Sequence, residues 1–124
     1  LCHHDVHEQN LVTDSAGRLW LVDWEYAGLG DPVFDLASSA SQLELSAAGV
    51  GLLFDEYVRA GGTARPARLE LARWAFDYVQ WLWYRGLLAT AVPGPDAVEA
   101  AHRAGRIERG LQERASGVLR CNNH

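Results

Sequence analysis

The sequence predicts an α+β fold that is mostly helical and contains one small β-hairpin near the N-terminal end. Two short apolar segments, residues 11–13 and 19–22, flank the turn-forming residues 14–17, which is the pattern of a hairpin. The rest of the chain carries helix-capping residues and glycine or proline breaks that divide it into helices. With 124 residues, 48% of them hydrophobic, the chain is long enough for one domain with an apolar core.

Helices are expected at residues 33–44, from residue 46 to a glycine pair, at residues 66–91 and at residues 96–119. Ser46 is a candidate N-cap for the second of these helices, and Gly61 and Gly62 are expected to end it. Asp96 follows a proline and glycine break and is expected to cap the last helix. Residues 120–124 are expected to form a frayed tail.

Composition excludes several classes of protein. No apolar run approaches the roughly 18 residues that a membrane span needs, and residues 1–5 lack the basic start of a secretory signal. Cys2 and Cys121 lie near opposite ends of the chain, so a disulfide framework is not expected. These features predict a cytoplasmic protein without a membrane partner.

Negative charge is concentrated at the N-terminal end. Residues 1–35 contain seven acidic residues and one arginine, a net charge of −6, whereas the remaining residues carry +1 of the total of −5. Such an acidic segment repels phosphate unless cations intervene, which argues against a nucleic-acid partner. The distribution favours a site for metal ions or for a cationic substrate.

Three oxygen-bearing side chains around the hairpin are candidates for a metal and proton-transfer site. If the turn centres near Ala16, Asn10 lies opposite residues 22–23 and therefore close to Asp23, because paired strands are about 5 Å apart. The loop that carries Asp5 lies beside this point. Carboxylate and amide oxygens suit Mg²⁺. The order H-x-D-x-x-x-x-N, hairpin, D has the spacing of a kinase catalytic loop and its metal-binding aspartate.

Three motifs in the first 37 residues resemble those of the aminoglycoside phosphotransferase and choline kinase family. Residues 1–12, LCHHDVHEQNLV, are similar to the catalytic loop of that family. Residues 22–28, VDWEYAG, resemble the I-D-[FW]-E-Y element of choline, ethanolamine and bacterial thiamine kinases. Residues 30–37, GDPVFDLA, resemble the D-P-x-x-D-L-A element that follows. The resemblance is closest to the choline, ethanolamine and thiamine kinases.

This resemblance implies a role for several side chains of the matching motifs. Asp5 would be the catalytic base, and Asn10 and Asp23 would bind Mg²⁺ for a reaction with ATP. His3 and Asp35 would support the catalytic loop. Substrate-binding roles near the metal are implied for two residues, Glu25 and Tyr26.

The resemblance also implies the C-terminal lobe of a protein-kinase-like fold, with the small hairpin next to the catalytic loop. Residues 1–37 would form the catalytic and metal-binding loops, residues 38–119 a helical subdomain, and residues 120–124 the tail. The family has an N-terminal nucleotide lobe with an anchoring lysine, but all 11 basic residues here are arginines and no methionine is present. We therefore expect a fragment whose partner is the missing lobe and which is inactive and poorly soluble alone.

An aromatic stretch on the long third helix is a candidate substrate surface. Four of its residues share one helical face: Trp74, Asp77, Tyr78 and Trp81. Aromatic faces bind quaternary ammonium groups by cation–π attraction, although a face of this kind also serves as a helix-packing core. Asp77 is costly to bury unpaired, so it is expected to face Arg73, Arg85 or a cationic ligand. The arginines of the last helix, including Arg114, are expected to form a solvated face.

The predicted function is transfer of the ATP γ-phosphoryl group to a hydroxyl of a small cationic alcohol such as choline, ethanolamine or thiamine. One alternative is an aminoglycoside or other antibiotic phosphotransferase. Another is a non-catalytic, kinase-like remnant that acts as a binding module. Zinc held by His3, His4 and His7 is disfavoured because the sequence has neither C-x-x-C nor H-E-x-x-H.

Overall fold

The computed structural model describes residues 1–90 and 93–121, and it confirms the mostly helical α+β fold with a two-stranded hairpin. A single 3-10 turn at Glu8–Asn10 precedes the hairpin strands. The longer elements, in chain order, are β1 (Leu11–Thr13), β2 (Leu19–Leu21), α1 (Pro32–Gln42), α2 (Ala47–Arg59), α3 (Pro66–Thr90) and α4 (Pro95–Cys121).

The hairpin has the predicted register, because Leu11 pairs with Leu21 in the antiparallel ladder. Its turn is organised by the carboxylate of Asp14, which accepts the backbone N–H of Ala16 at 2.9 Å and of Arg18 at 2.9 Å. The indole N–H of Trp20 also donates to Asp14 at 3.0 Å. These bonds, led by that of Trp20, lower the pKa of Asp14 from 3.8 to about 2.

Helix α1 begins with a cap that also binds α3. The side chain of Asp31 accepts the backbone N–H of Val33 at 3.1 Å, and Pro32 occupies the first helical turn. Its other oxygen binds Arg68 Nη2 at 2.6 Å and Nε at 3.0 Å. The pKa of Asp31 is lowered by the Val33 bond and, to a smaller degree, by Arg68. The helix ends at Gln42, two residues before the predicted end.

The predicted boundaries of α2 are confirmed. Ser46 caps the helix by accepting the N–H of Gly49 at 3.2 Å. The helix stops where Gly61 takes a φ of +96°, in the left-handed region that glycine adopts without steric cost, and the N–H of Gly62 donates to the carbonyl of Tyr57 at 2.9 Å.

The predicted start of α4 is wrong. The helix begins at Pro95, so Asp96 lies within its first turn and is not the cap. Proline suits a first helical position because the N–H it lacks has no partner inside the helix there. The helix continues to Cys121, past the predicted end at residue 119. Residue 91, at the predicted end of α3, and residues 122–124 of the predicted tail lie outside the described residues.

The chain divides into two compact units, one spanning Leu1–Arg73 and the other starting at Trp74. In the first unit the buried apolar residues come from the N-terminal loop and all three helices: Cys2, Val33, Ala37, Ala40, Val50, Leu69 and Ala72. In the second unit Ala100, Ala104 and Leu111 of α4 are buried. Within the described residues, no helix has the length and apolar character needed to cross a membrane.

Candidate active site

The loop before the hairpin is attached to the first turn of α1 through one carboxylate. Asp35 accepts the backbone N–H of His3 at 2.7 Å through one oxygen and that of His4 at 2.8 Å through the other. His4 has a φ of 66°, a left-handed conformation that is uncommon for a residue with a side chain. The paired bonds to Asp35 hold this unfavourable backbone in place.

His3 connects this loop to the segment that follows β2. Its side chain is 1% exposed, its Nδ1 accepts the backbone N–H of Asp5 at 3.3 Å, and its Nε2 lies 2.9 Å from the carbonyl oxygen of Val22. Because Nδ1 is an acceptor, Nε2 carries the proton and donates to Val22. The ring also meets Trp24 edge-on, with centroids 4.8 Å apart.

A backbone bridge reinforces the same connection. The N–H of Cys2 donates to the carbonyl of Gly28 at 2.8 Å, and the N–H of Gly28 donates back to Cys2 at 3.0 Å. The neighbouring Gly30 lies so close to the loop that an added Cβ would be 2.6 Å from the imidazole Cε1 of His4. Residues 28–30 therefore pack directly against the loop, and a glycine at position 30 permits this approach.

Asp5 and Asn10 are in direct contact. The amide nitrogen of Asn10 donates to the backbone carbonyl of Asp5 at 2.9 Å and to its Oδ2 at 3.3 Å. Asn10 is buried, with 6% of its surface exposed, whereas the Asp5 side chain is 34% exposed and accessible to a small molecule. The carboxylate of Asp5 also lies 3.4 Å from Nε2 of His7.

Asp23 lies at the open end of the hairpin, one residue beyond the partner of Asn10. The backbone N–H of Val22 donates to the carbonyl of Asn10 at 2.9 Å, which extends the strand register by one pair. Asp23 is exposed and has a φ of 64°, a left-handed conformation that aspartate and asparagine tolerate better than most residues. The predicted placement of Asn10 opposite residue 22 is confirmed.

The donor chemistry at this end of the hairpin fits Mg²⁺. Because the amide nitrogen of Asn10 is bonded to Asp5, its oxygen is the atom that can bind a metal, and Asp23 adds a carboxylate. Mg²⁺ is held by one or two carboxylates while its other positions go to water and phosphate oxygens. Among the described residues, no group of three His, Cys, Asp or Glu side chains could hold a metal ion. A site here therefore depends on the amide oxygen.

Glu25 and Tyr26 occupy the middle of a tight turn directly after the candidate metal ligand Asp23. The N–H of Ala27 donates to the carbonyl of Trp24 at 3.0 Å and closes the turn. Both central side chains are exposed, Tyr26 by 63%. Their assignment to substrate binding stays a prediction.

The second unit contains the aromatic face predicted on α3. The rings of Trp74 and Tyr78 stack with centroids 5.5 Å apart and an interplanar angle of 4°, and Tyr78 stacks on Trp81 at 6.0 Å. The guanidinium of Arg85 lies 5.8 Å from the centroid of the Trp81 ring. These residues form a continuous aromatic surface along the helix, and its contact with substrate stays a prediction.

Asp77 has a partner that the sequence did not predict. Asp77 is 7% exposed, and its carboxylate forms an ion pair with Nη2 of Arg114 on α4. The expected protein partners are engaged elsewhere, because Arg73 binds Glu70 at 2.9 Å and Arg85 lies over Trp81. The placement of Arg114 on a solvated face was wrong, since a buried carboxylate is costly without a nearby cation. No spacing signal links residues 37 positions apart.

The chain is similar to several known proteins. LicA of Haemophilus influenzae is 29% identical over 89 residues, which are 66% of this chain and 33% of LicA. Thiamine kinase of Salmonella paratyphi B is 58% identical over 36 residues, 29% of this chain and 13% of that enzyme. The crystal structure of a choline/ethanolamine kinase family protein from Mesorhizobium loti is 32% identical, with a TM-score of 0.68 over 87% of this chain and 37% of that one.

The chain spans about a third or less of these curated relatives. The sequence profile of the phosphotransferase enzyme family matches residues 1–74, which contain the loop of Asp5, the hairpin, Asp23 and Asp35. This match covers more than half of the chain, and the structural neighbour has the same kinase-like fold. The chain therefore belongs to the phosphotransferase enzyme family.

Proposed function

We propose that the protein containing this chain is a kinase that transfers the γ-phosphoryl group of ATP to a hydroxyl of a small cationic alcohol. The observation that carries this proposal is the arrangement around Asp5. Its carboxylate is partly exposed, contacts the Asn10 amide and His7, and lies in a loop fixed by His3 and Asp35. A general base needs an accessible carboxylate with a fixed orientation.

Asp5 is proposed as the catalytic base that accepts the proton of the attacking hydroxyl. His3 supports it by accepting the Asp5 backbone N–H, and Asp35 supports it by holding the backbone of His3. Neither His3 nor Asp35 needs to contact the substrate for this role. Their proposed role is to keep the carboxylate where an acceptor alcohol can reach it.

Asn10 and Asp23 are proposed as the metal ligands, through the amide oxygen and the carboxylate. Mg²⁺ bound there would neutralise charge on the nucleotide phosphates, which the acidic N-terminal segment otherwise repels. The amide nitrogen of Asn10 fixes the direction of its oxygen by bonding to Asp5. Asn10 would thus fix the position of the metal ion relative to the catalytic base Asp5.

The proposed acceptor is choline, ethanolamine or thiamine. The D-W-E-Y residues at 23–26 support this choice, as does similarity to a thiamine kinase and to a choline/ethanolamine kinase family protein. The stacked aromatic rings of α3 support it too, because such surfaces attract quaternary ammonium groups. Substrate-binding residues are proposed in two places: Glu25 and Tyr26 on the turn after Asp23, and Trp74, Asp77, Tyr78 and Trp81 on α3.

The partner, the location and the second candidate function of the protein are also proposals. The partner of this lobe is proposed to be a nucleotide-binding lobe of the same protein, and the location the cytoplasm. Neither nucleic acid nor a membrane is proposed as a partner. An aminoglycoside phosphotransferase is the second candidate, since a net charge of −6 over residues 1–35 would attract a polycationic antibiotic.

The test is release of ADP by the complete protein with Mg-ATP and each of four acceptors: choline, ethanolamine, thiamine and an aminoglycoside. Turnover with one of the first three, abolished by Asp5→Asn but retained by Asp55→Asn on the exposed surface of α2, supports the proposal. Turnover with the aminoglycoside alone favours the second candidate. A folded protein that neither binds ATP nor transfers phosphate would contradict both and favour a binding module.

A further inference from the structure

The two oxygens of the Asp5 carboxylate have different surroundings. Two nitrogen atoms approach Oδ2: Nδ2 of Asn10 at 3.3 Å and Nε2 of His7 at 3.4 Å. Both donors lie on the C-terminal side of Asp5, at the start of the 3-10 turn and at its end. Oδ2 is therefore the oxygen that the protein holds.

The orientation of the His7 ring is set by the 3-10 turn itself. His7 is the N-cap of the turn at Glu8–Asn10, and its Nδ1 accepts the backbone N–H of Gln9 at 3.3 Å. A neutral imidazole has one donor and one acceptor nitrogen, so the proton lies on Nε2. Nε2 lies 3.4 Å from Oδ2 of Asp5. The side chain of His7 is 24% exposed and is partly enclosed by this loop.

We propose that His7 is a positioning residue for the catalytic base: with the amide of Asn10 it holds Oδ2 of Asp5 and leaves Oδ1 to accept the substrate proton. This inference rests on the proposed kinase function. In the transfer step, the proton of the acceptor hydroxyl moves to Oδ1 and the hydroxyl oxygen forms a bond to the γ-phosphorus. The bond between that phosphorus and the bridging oxygen of ADP breaks, and ADP keeps the electron pair.

The two contacts to Oδ2 are longer than the usual 2.9–3.0 Å of an N–H···O bond. Catalytic hydrogen bonds are often long without substrate and shorten in the reactive complex. Each contact alone is weak, but the two together restrict rotation of the carboxylate about its last single bond. Loss of His7 would leave Asn10 as the sole donor of this pair and let the carboxylate turn away from the acceptor.

The test compares two substitutions of His7 in the complete protein, with Mg-ATP and the acceptor that the wild type uses. His7→Phe keeps a ring but removes both nitrogens, whereas His7→Gln keeps a side-chain N–H donor. His102→Phe, on the exposed surface of α4, is the matched control. The ring nitrogens of His7 are also observed directly by ¹⁵N NMR, which reports the tautomer without turnover.

We expect His7→Phe to lower kcat between about 10- and 100-fold, because misplacement of a reacting group costs factors of this size. The KM values for ATP and acceptor should stay within about twofold, in line with a role in orientation rather than binding. His7→Gln should recover several-fold of the lost kcat, the His102 variant should match the wild type, and the NMR spectrum should show a protonated Nε2.

The inference is overturned if His7→Phe keeps the wild-type kcat, if His7→Gln loses as much as His7→Phe, or if Nδ1 carries the proton. A wild type without any transfer instead defeats the proposed function, and the inference with it. Circular dichroism verifies that each variant is folded. If His7→Phe does not fold, the kcat of His7→Gln and the tautomer of the wild type decide the question.

Discussion

The carboxylate of Asp35 binds the backbone N–H of His3 at 2.7 Å, across 32 residues of sequence. Its second oxygen binds His4 at 2.8 Å, so a single side chain on α1 fixes the backbone immediately before Asp5. Both oxygens of one ionised carboxylate are used as acceptors. The position therefore requires a group that accepts twice, which an amide cannot do through its nitrogen.

Asp35→Asn is expected to destabilise the fold and slow phosphate transfer. The asparagine nitrogen would face one of the two backbone N–H groups, of which that of His3 is partly buried and that of His4 exposed, so one donor loses its acceptor, at a cost of about 1 kcal/mol. Urea denaturation of the complete protein measures this change, and kcat should fall with it. Asp55→Asn, an exposed aspartate on α2, should change stability by less than about 0.5 kcal/mol. Equal denaturation midpoints for the two variants would contradict a stabilising role for the bonds from His3 and His4 to Asp35.

Asp23→Asn is expected to remove the negative charge of this residue without disturbing its backbone conformation. Asparagine tolerates the φ of 64°, so stability should stay close to that of the wild type, while the Mg²⁺ concentration for half-maximal rate rises and kcat falls. Asp23→Ala should show the same loss of activity and an added destabilisation of about 1 kcal/mol from the left-handed backbone. Wild-type Mg²⁺ dependence in both variants would remove Asp23 from the metal site.

Asp77 and Arg114 are expected to be strongly coupled. Because Asp77 is 7% exposed, Asp77→Asn should destabilise the protein by on the order of 2 kcal/mol, between the values typical of exposed and of buried pairs. The double variant Asp77→Asn/Arg114→Met should be more stable than the sum of the single changes predicts. Thermal unfolding of the wild type, the two single variants and the double variant gives a double-mutant cycle. Additive effects would show that the ion pair contributes nothing to stability. A rise in acceptor KM limited to the Asp77 variants would support the proposed substrate contact.

Asp14 is expected to contribute to stability in a defined range of pH. Its pKa is lowered from 3.8 to about 2, chiefly by the Trp20 indole bond, so the ionised carboxylate is favoured in the folded state. Its stabilising contribution is complete above the ordinary value of 3.8 and is lost as the pH falls toward about 2. In an NMR titration, Trp20→Phe should raise the pKa of Asp14. An unchanged titration curve would show that the indole bond is absent in solution.

Local features of the structure were largely predictable. Turn residues on either side of short apolar segments predicted the hairpin, and its register placed Asn10 opposite Val22. Ser46 and the glycine pair at 61–62 marked the limits of α2 because capping depends on the few residues at a helix end. The start of α4 was wrong by one position, since Pro95 and Asp96 both suit the beginning of a helix.

By itself the sequence determined the helical fold with its hairpin and the family, and it supplied the candidates for base and metal ligands. These depend on short motifs and on strand pairing across a tight turn, which neighbouring residues specify. The tertiary structure alone decided the partner of Asp77, the use of Asp31 to bind Arg68, and the approach of His7 to Asp5. Such contacts depend on how distant segments pack or on the exact path of a loop, and residue spacing does not record either.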